Sequence, residues 1–258
     1  MVSHKVVLYI KNRLYPFIGI VYVLFCWVIF LDFNFFLWPM ILPMIVPLFY
    51  SIRYRRDSLK EIIGILIIMI TIIIVYWPLL TSEYLSSATY VATKILLFLV
   101  IPCGILLLLR RSSISSLLPR IGLQKKGIRH SFVLGILFLP LMLIVTFLLH
   151  FVNGVGFDPN VLSGSVSFFE AFTEEFFFRG ILFLYLFMLT DLRIAYFTSL
   201  ACFILAHPQQ VTSLFILGTL VQGILTLEIT RKSENIIGAW MVHGINRFFI
   251  LAVLPFIL

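Results

Sequence analysis

Charge is scarce in this sequence: only 12% of its 258 residues are Asp, Glu, Lys or Arg, about half the share usual in soluble domains. With 62% of residues hydrophobic, a soluble fold of this length could not hide so much apolar surface, so the chain's solvent is lipid. Cysteine is scarce too. Cys26, Cys103 and Cys202 stand in apolar runs with no CxxC spacing, which leaves neither a disulfide framework nor a thiolate metal motif. HExxH, GxSxG and GxxxxGK[ST] are all missing, so the common zinc-protease, hydrolase and nucleotide-binding motifs drop out. Alternation of apolar and polar residues is missing from stretches such as IIGILIIMITIIIV, which excludes strands of a membrane β-barrel.

What remains is a series of long apolar runs. A helix crosses the hydrocarbon core with roughly 20 residues, and on that ruler the expected spans are 14–31, 35–50, 61–81, 88–109, 131–152, 167–189, 194–207, 211–230 and 235–257. The second, with Pro39, Pro43 and Pro47, is short enough to be re-entrant or interfacial. The fold class expected is all-α: a polytopic transmembrane helical bundle of eight or nine membrane helices. The first run follows Lys5, Lys11 and Arg13 without a nearby small-residue cleavage site, so it is expected to stay as a helix.

The formal net charge is +8, but the basic residues form short clusters between apolar runs, which orient a membrane protein and make no nucleic-acid-binding face. Of nineteen Lys and Arg, sixteen fall in alternate loops: Lys5, Lys11, Arg13; Arg53, Arg55, Arg56, Lys60; Arg110, Arg111, Arg120, Lys125, Lys126, Arg129; Arg193; Arg231, Lys232. The intervening loops, around Asp32, Glu83, Asp158 and Pro208, have none. The positive-inside rule then places the N-terminus in the cytoplasm of a multi-pass cell-membrane protein. The other three basic residues lie within spans. Lys94, near a helix end, is read as snorkelling to the interface; Arg179 and Arg247 lie deeper.

An ionisable group near the bilayer centre costs at least about 2.5–3.5 kcal/mol, so a cluster of them requires a reason. FFEAFTEEFFFRG holds Glu170, Glu174, Glu175 and Arg179. On a helix Glu175 and Arg179 share a face, four residues apart, and can pair. Glu170 and Glu174 share another face, rotated by about 100°, so Glu174 meets different surroundings and can carry base chemistry. Two histidines follow in membrane runs: His207 in FILAHP, and His243 in WMVHGINRFF with Asn246 about one turn on and Gly244 permitting close helix approach. Each histidine alone reads equally well as a hydrogen-bonded interface residue; His4, His130 and His150 lie near span ends or loops and read as structural. Gathered together, the deep residues fit amide hydrolysis, which needs a base for water and donors for the tetrahedral oxyanion. A desolvated Glu174 fits the first need; the histidines and the Asn246 amide fit the second.

Glu174–Glu175–x-x-x–Arg179, Phe203–x-x-x–His207 and His243–Gly244–Ile245–Asn246, in that order on membrane helices, resemble the CAAX protease and bacteriocin-processing (CPBP or Abi) family of intramembrane glutamate proteases. The match runs over roughly residues 120–250, and LPRIGLQKK is similar to the cytoplasmic segment preceding that family's core. The resemblance divides the chain into N-terminal transmembrane helices with basic loops (1–119) and a protease core (120–258). It implies that Glu174 and His207 activate water, that His243 and Asn246 form the oxyanion hole, and that Glu175 and Arg179 hold the scaffold. One position departs. The family places Asn four residues after the last histidine; here that residue is Arg247, with Asn246 three after, so Arg247 is a second candidate donor or a partner for Glu170.

Expected partners are membrane lipid and a peptide or membrane-protein substrate, whether prenylated, leader-bearing or simply membrane-associated, and no nucleic acid; no residue pattern sets an oligomeric state. No cofactor is expected, with zinc on Glu174, His207 and His243 as the alternative. Outside proteolysis, the same residues suit a non-catalytic immunity protein, which this family also contains, or a transporter, although no internal repeat is evident. On the nine-span count Glu174 and His207 lie toward the outer face.

Overall fold

The computed structural model describes residues 38–80, 87–154, 156, 158–207, 210 and 213–258. The expected span 14–31, Cys26, His4 and the first basic cluster lie outside these residues, as do Pro208 and Glu83. Every regular element among the described residues is helical. In lipid this follows from the backbone, whose N–H and C=O groups have no water to satisfy them and must pair within each segment.

The proline-rich run forms a 3-10 helix, Trp38–Met44, that opens into α1 (Ile45–Tyr54). Next comes α2 (Leu59–Leu80), and then α3 (Ser87–Ile95), which passes through a π-helical turn, Leu96–Val100, into α4 (Ile101–Arg110). After a short connection comes α5 (Ile128–Asn153), then α6 (Val161–Glu175), which continues without a break as a ten-residue π-helix, Phe176–Tyr185, and α7 (Leu186–Leu189). The chain closes with α8 (Leu192–Leu205), α9 (Phe215–Ser233) and α10 (Ile237–Phe248), the last prolonged by a π-turn, Phe249–Val253.

Among the described residues, four helical stretches are long and apolar enough to cross a membrane: Arg56–Tyr76, Thr89–Arg110, Ile128–Asn153 and Ile237–Phe256. Pro39–Tyr54 and Leu192–Leu205 are shorter apolar helices. Their faces invert the soluble pattern. On α5 the inward stripe is Ser131, Gly135, Met142, Thr146 and His150, whereas Phe132, Val133, Ile136, Leu137, Leu141, Ile144 and Leu148 point outward and are exposed. Polar atoms sit inside, where helices can satisfy them, and branched apolar chains sit outside against hydrocarbon, as in an integral membrane protein.

The π-helix 176–185 is buried on every side and has α8, α9 and the 3-10 turn Leu118–Ile121 against it. A helix apolar all round belongs in the middle of a bundle, and here it carries Arg179 with it. Glycine permits close approach: a Cβ on Gly244 would meet the backbone oxygen of Phe168 at 2.8 Å, and one on Gly238 would collide with that of Ser131. These contacts press α10 onto α6 and α5, and the Trp240 indole N–H adds a hydrogen bond to Phe168 O at 2.9 Å.

The basic loops converge. Arg55 donates to Met188 O at 3.2 Å, Arg110 lies 3.6 Å from Glu61, and Lys126 lies 3.3 Å from Glu234. Gly122 O accepts from Ile236 N at 3.2 Å. The connections rich in Lys and Arg are thus tied to one another or to nearby helix ends.

Candidate active site

The last turns of α6 present three carboxylates, and each has a different environment. Glu170 and Glu174, one turn apart, face α3, and the Lys94 ammonium reaches both through hydrogen-bonded ion pairs with their Oε1 atoms. Tyr90 donates to Glu170 Oε1 at 3.0 Å, and its hydroxyl lies 2.9 Å from that of Tyr76 on α2. From the other side Arg247 of α10 donates to Glu174 Oε1 at 3.1 Å and approaches Glu170 Oε2 at 3.6 Å. Lys94 is 1% exposed, Glu170 4% and Glu174 5%. Two carboxylates and two cations therefore make a neutral quartet, of which only the Arg247 side chain, 26% exposed, reaches the surface. Neutrality matters because an unbalanced charge at this depth is strongly disfavoured.

Glu174 divides its oxygens. Oε1 takes both cations, whereas Oε2 is buried and accepts no hydrogen bond from the described residues. Two imidazoles flank Oε2: His207 Nε2 at 3.6 Å and His243 Nε2 at 3.7 Å. Their tautomers follow from the opposite ring atoms. His207 Nδ1 lies 2.8 Å from Phe203 O, and His243 Nδ1 lies 2.7 Å from Glu175 Oε1. A carbonyl and a carboxylate can only accept, so both Nδ1 atoms carry the proton in the neutral rings. Both Nε2 atoms then present lone pairs toward Glu174 Oε2. Three acceptors facing one another call for a donor between them, and a water molecule is the smallest group that fits that chemistry.

Glu175 is fully buried and pairs with Arg179 at 3.2 Å. The i, i+4 relation survives although the helix turns π at Phe176. Arg179 also donates to Thr226 Oγ1 from Nε at 2.9 Å and from a terminal nitrogen. Its guanidinium lies 4.1 Å from the Phe203 ring centroid. Both histidines also pack against Phe203, with centroid distances of 4.8 Å to His207 and 6.0 Å to His243. Phe203 thus touches both the structural cation and the imidazoles, while Glu175 joins the two by binding both Arg179 and His243.

The structure gathers Glu170, Glu174, Glu175, Arg179, Phe203, His207, His243 and Arg247 into one cluster. Asn246 is buried beside it but engaged elsewhere: its amide donates to Gln222 Oε1 at 3.0 Å, and its Oδ1 accepts from Thr146 at 2.7 Å. His150 bonds the carbonyl of Thr146 at 2.9 Å and packs against Phe215, a structural role on α5. Among the described residues no group of three or more His, Cys, Asp and Glu side chains has the geometry to hold a metal ion. Cys103 and Cys202 are free thiols.

Lys94 corrects the sequence reading. It does not snorkel to the interface but turns inward to two carboxylates. The signal was its place within an expected span, since a lysine there needs a partner wherever it does not reach the interface. Its partners, 76 and 80 residues away, could not be read from local spacing. Tyr90, Thr226 and Gln222 carried no comparable signal.

Residues 156–249 match the family model described as Type II CAAX prenyl endopeptidase Rce1-like. No curated protein and no solved structure matches the chain. The matched segment begins just before α6 and ends just after Arg247, so it spans the three glutamates, both histidines and both arginines of the cluster. Over that segment, this chain is similar to the Rce1-like family of CAAX-type proteases.

Proposed function

We propose that this protein is an intramembrane endopeptidase that hydrolyses a peptide bond of a membrane-associated, prenylated or leader-bearing substrate with water activated by Glu174. The observation that carries the proposal is the unpartnered, buried Oε2 of Glu174 between two Nε2 lone pairs. A water bound there gives one proton to Glu174 or His207 as its oxygen attacks the carbonyl carbon. His243, backed by Glu175, is arranged to relay that proton: it takes it at Nε2 from Glu174, whose Oε2 lies 3.7 Å away, its charge is balanced by the carboxylate behind it, and it gives the proton to the amine nitrogen as the C–N bond breaks.

The donor for the developing oxyanion is assigned to Arg247 rather than Asn246. The Asn246 amide is committed to Gln222, and a neutral His243 has no proton on Nε2. Arg247 is always charged, its side chain is 26% exposed, and it borders Glu174. Charge balance argues against zinc as a resident of the site. Glu170, Glu174 and Glu175 are matched by Lys94, Arg179 and Arg247, so a divalent ion would leave two positive charges in a low-dielectric interior, whereas water leaves none. Proteolysis is accordingly expected to persist in the presence of a chelator.

We place the protein in the cell membrane with eight or nine spans and a cytoplasmic N-terminus, on the segregation of basic loops. A second reading has one observation in its favour. Two cations on Glu174 Oε1 weaken that carboxylate as a base, which suits a non-catalytic immunity protein that keeps the cluster for folding. The test is cleavage of an internally quenched peptide ending in a farnesylated CAAX sequence by the purified full chain, set against Glu174→Gln. Loss of about 10³-fold or more in kcat by the folded variant is expected for removal of an essential base. Equal cleavage by parent and variant would overturn the proposal.

A further inference from the structure

Lys94 belongs to α3, far outside the family-matched segment 156–249, yet it is the most deeply buried member of the ion quartet. It is also the member that bonds both Glu170 and Glu174. The Tyr90 ring lies 5.4 Å from the ammonium and the Tyr76 ring 5.9 Å, so the buried cation sits among aromatic rings.

We infer that Lys94 is a positioning residue of the proposed reaction: an N-terminal helix supplies the cation that keeps Glu174 ionised and turns its Oε2 toward the histidines. The inference rests on the hydrolytic reading above. Without Lys94, two carboxylates one helical turn apart share the single charge of Arg247. In a dry site one of them then takes a proton, because a net negative charge there is the costlier state. A protonated Glu174 cannot accept a proton from water, and its Oε1 loses the anchor that fixes Oε2. Glu170 has no other evident task than to balance the second cation, which explains why the site holds a carboxylate that touches neither histidine. The catalytic constellation is therefore completed by the N-terminal half of the chain.

The experiment uses the full-length chain in lipid nanodiscs and two readouts. In infrared difference spectra against the parent, Lys94→Met is expected to gain a protonated-carboxyl stretch, which disappears in Lys94→Met/Glu170→Gln, where one carboxylate again faces one cation. With the farnesylated quenched peptide, Lys94→Met is expected to lose about a hundredfold in kcat with KM within about threefold. The double variant should recover about tenfold of that loss, an interaction that independent structural damage would not show. Absence of the carboxyl stretch, or a parental kcat in Lys94→Met, overturns the inference. Should Lys94→Met fail to fold, the near-isosteric Glu170→Gln replaces it. It leaves two cations on Glu174 and is expected to lower kcat about tenfold; an unchanged kcat again overturns the inference. Undiminished cleavage by Glu174→Gln would instead defeat the hydrolytic reading, and the infrared result would stand apart from it.

Discussion

Glu175→Gln tests whether the pair behind His243 acts as a unit. The substitution keeps the shape of a fully buried side chain and removes one charge. It leaves the Arg179 cation, also fully buried, without its carboxylate at 3.2 Å. Breaking a buried ion pair from one side costs about 3–5 kcal/mol. Two contacts offset part of this: the Thr226 hydroxyl, 2.9 Å from Nε, and the Phe203 face, 4.1 Å away, which is worth about 2 kcal/mol when desolvated. Arg179 Nη1 has no hydrogen-bond partner among the described residues to add to them. The expected loss is therefore near the lower limit, about 3 kcal/mol. At about 2–4 °C per kcal/mol for a chain of this size, the thermal midpoint should fall by roughly 6–12 °C. Tryptophan fluorescence of the detergent-solubilised protein measures this directly. Glu175→Gln/Arg179→Gln removes both charges and should lie within about 1–2 kcal/mol of the parent, since neutralising a whole pair is far milder than orphaning one partner. A single variant as stable as the parent, or a double variant that adds the two losses, would refute the reasoning. The same single variant should cut kcat, because His243 loses the carboxylate at 2.7 Å that fixes its tautomer.

Other expectations follow from the same geometry. Gly244→Ala should destabilise by about 1–3 kcal/mol through overpacking, since its Cβ would stand 2.8 Å from the Phe168 backbone oxygen; the thermal midpoint reports it. Arg247→Gln should reduce kcat by about 10²-fold, while Asn246→Ala, whose amide serves Gln222, should chiefly lower stability. Peptide kinetics on the two variants separate these effects, and the reverse ranking would return the donor role to Asn246.

The parts of this site legible in the sequence are those set by one helix. Glu175 and Arg179 pair because four residues place them on one face, and the rotation of Glu174 away from that face follows from the same periodicity. Gly244 signalled close helix packing, and the structure shows it against Phe168. What the chain did not disclose depends on which helices become neighbours. Lys94 meets Glu170 across 76 residues, and Asn246 is claimed by Thr146 across 100. Both contacts are decided by bundle topology, on which local spacing is silent. The number of spans resisted for another reason. The proline-rich run at 35–50 is short enough to be re-entrant, and it folds as a 3-10 helix, Trp38–Met44, followed by a ten-residue α-helix, Ile45–Tyr54, a length that does not by itself separate crossing from re-entry.

The most direct measurement compares protein termini in membranes from cells carrying the parent chain or Glu174→Gln at equal abundance. Peptide mass spectrometry should find at least one membrane-associated protein cleaved only where Glu174 is intact, with the precursor accumulating in the variant. Identical sets of termini in the two membranes, with both chains folded and inserted, would contradict the assignment of Glu174 as the base of an intramembrane protease.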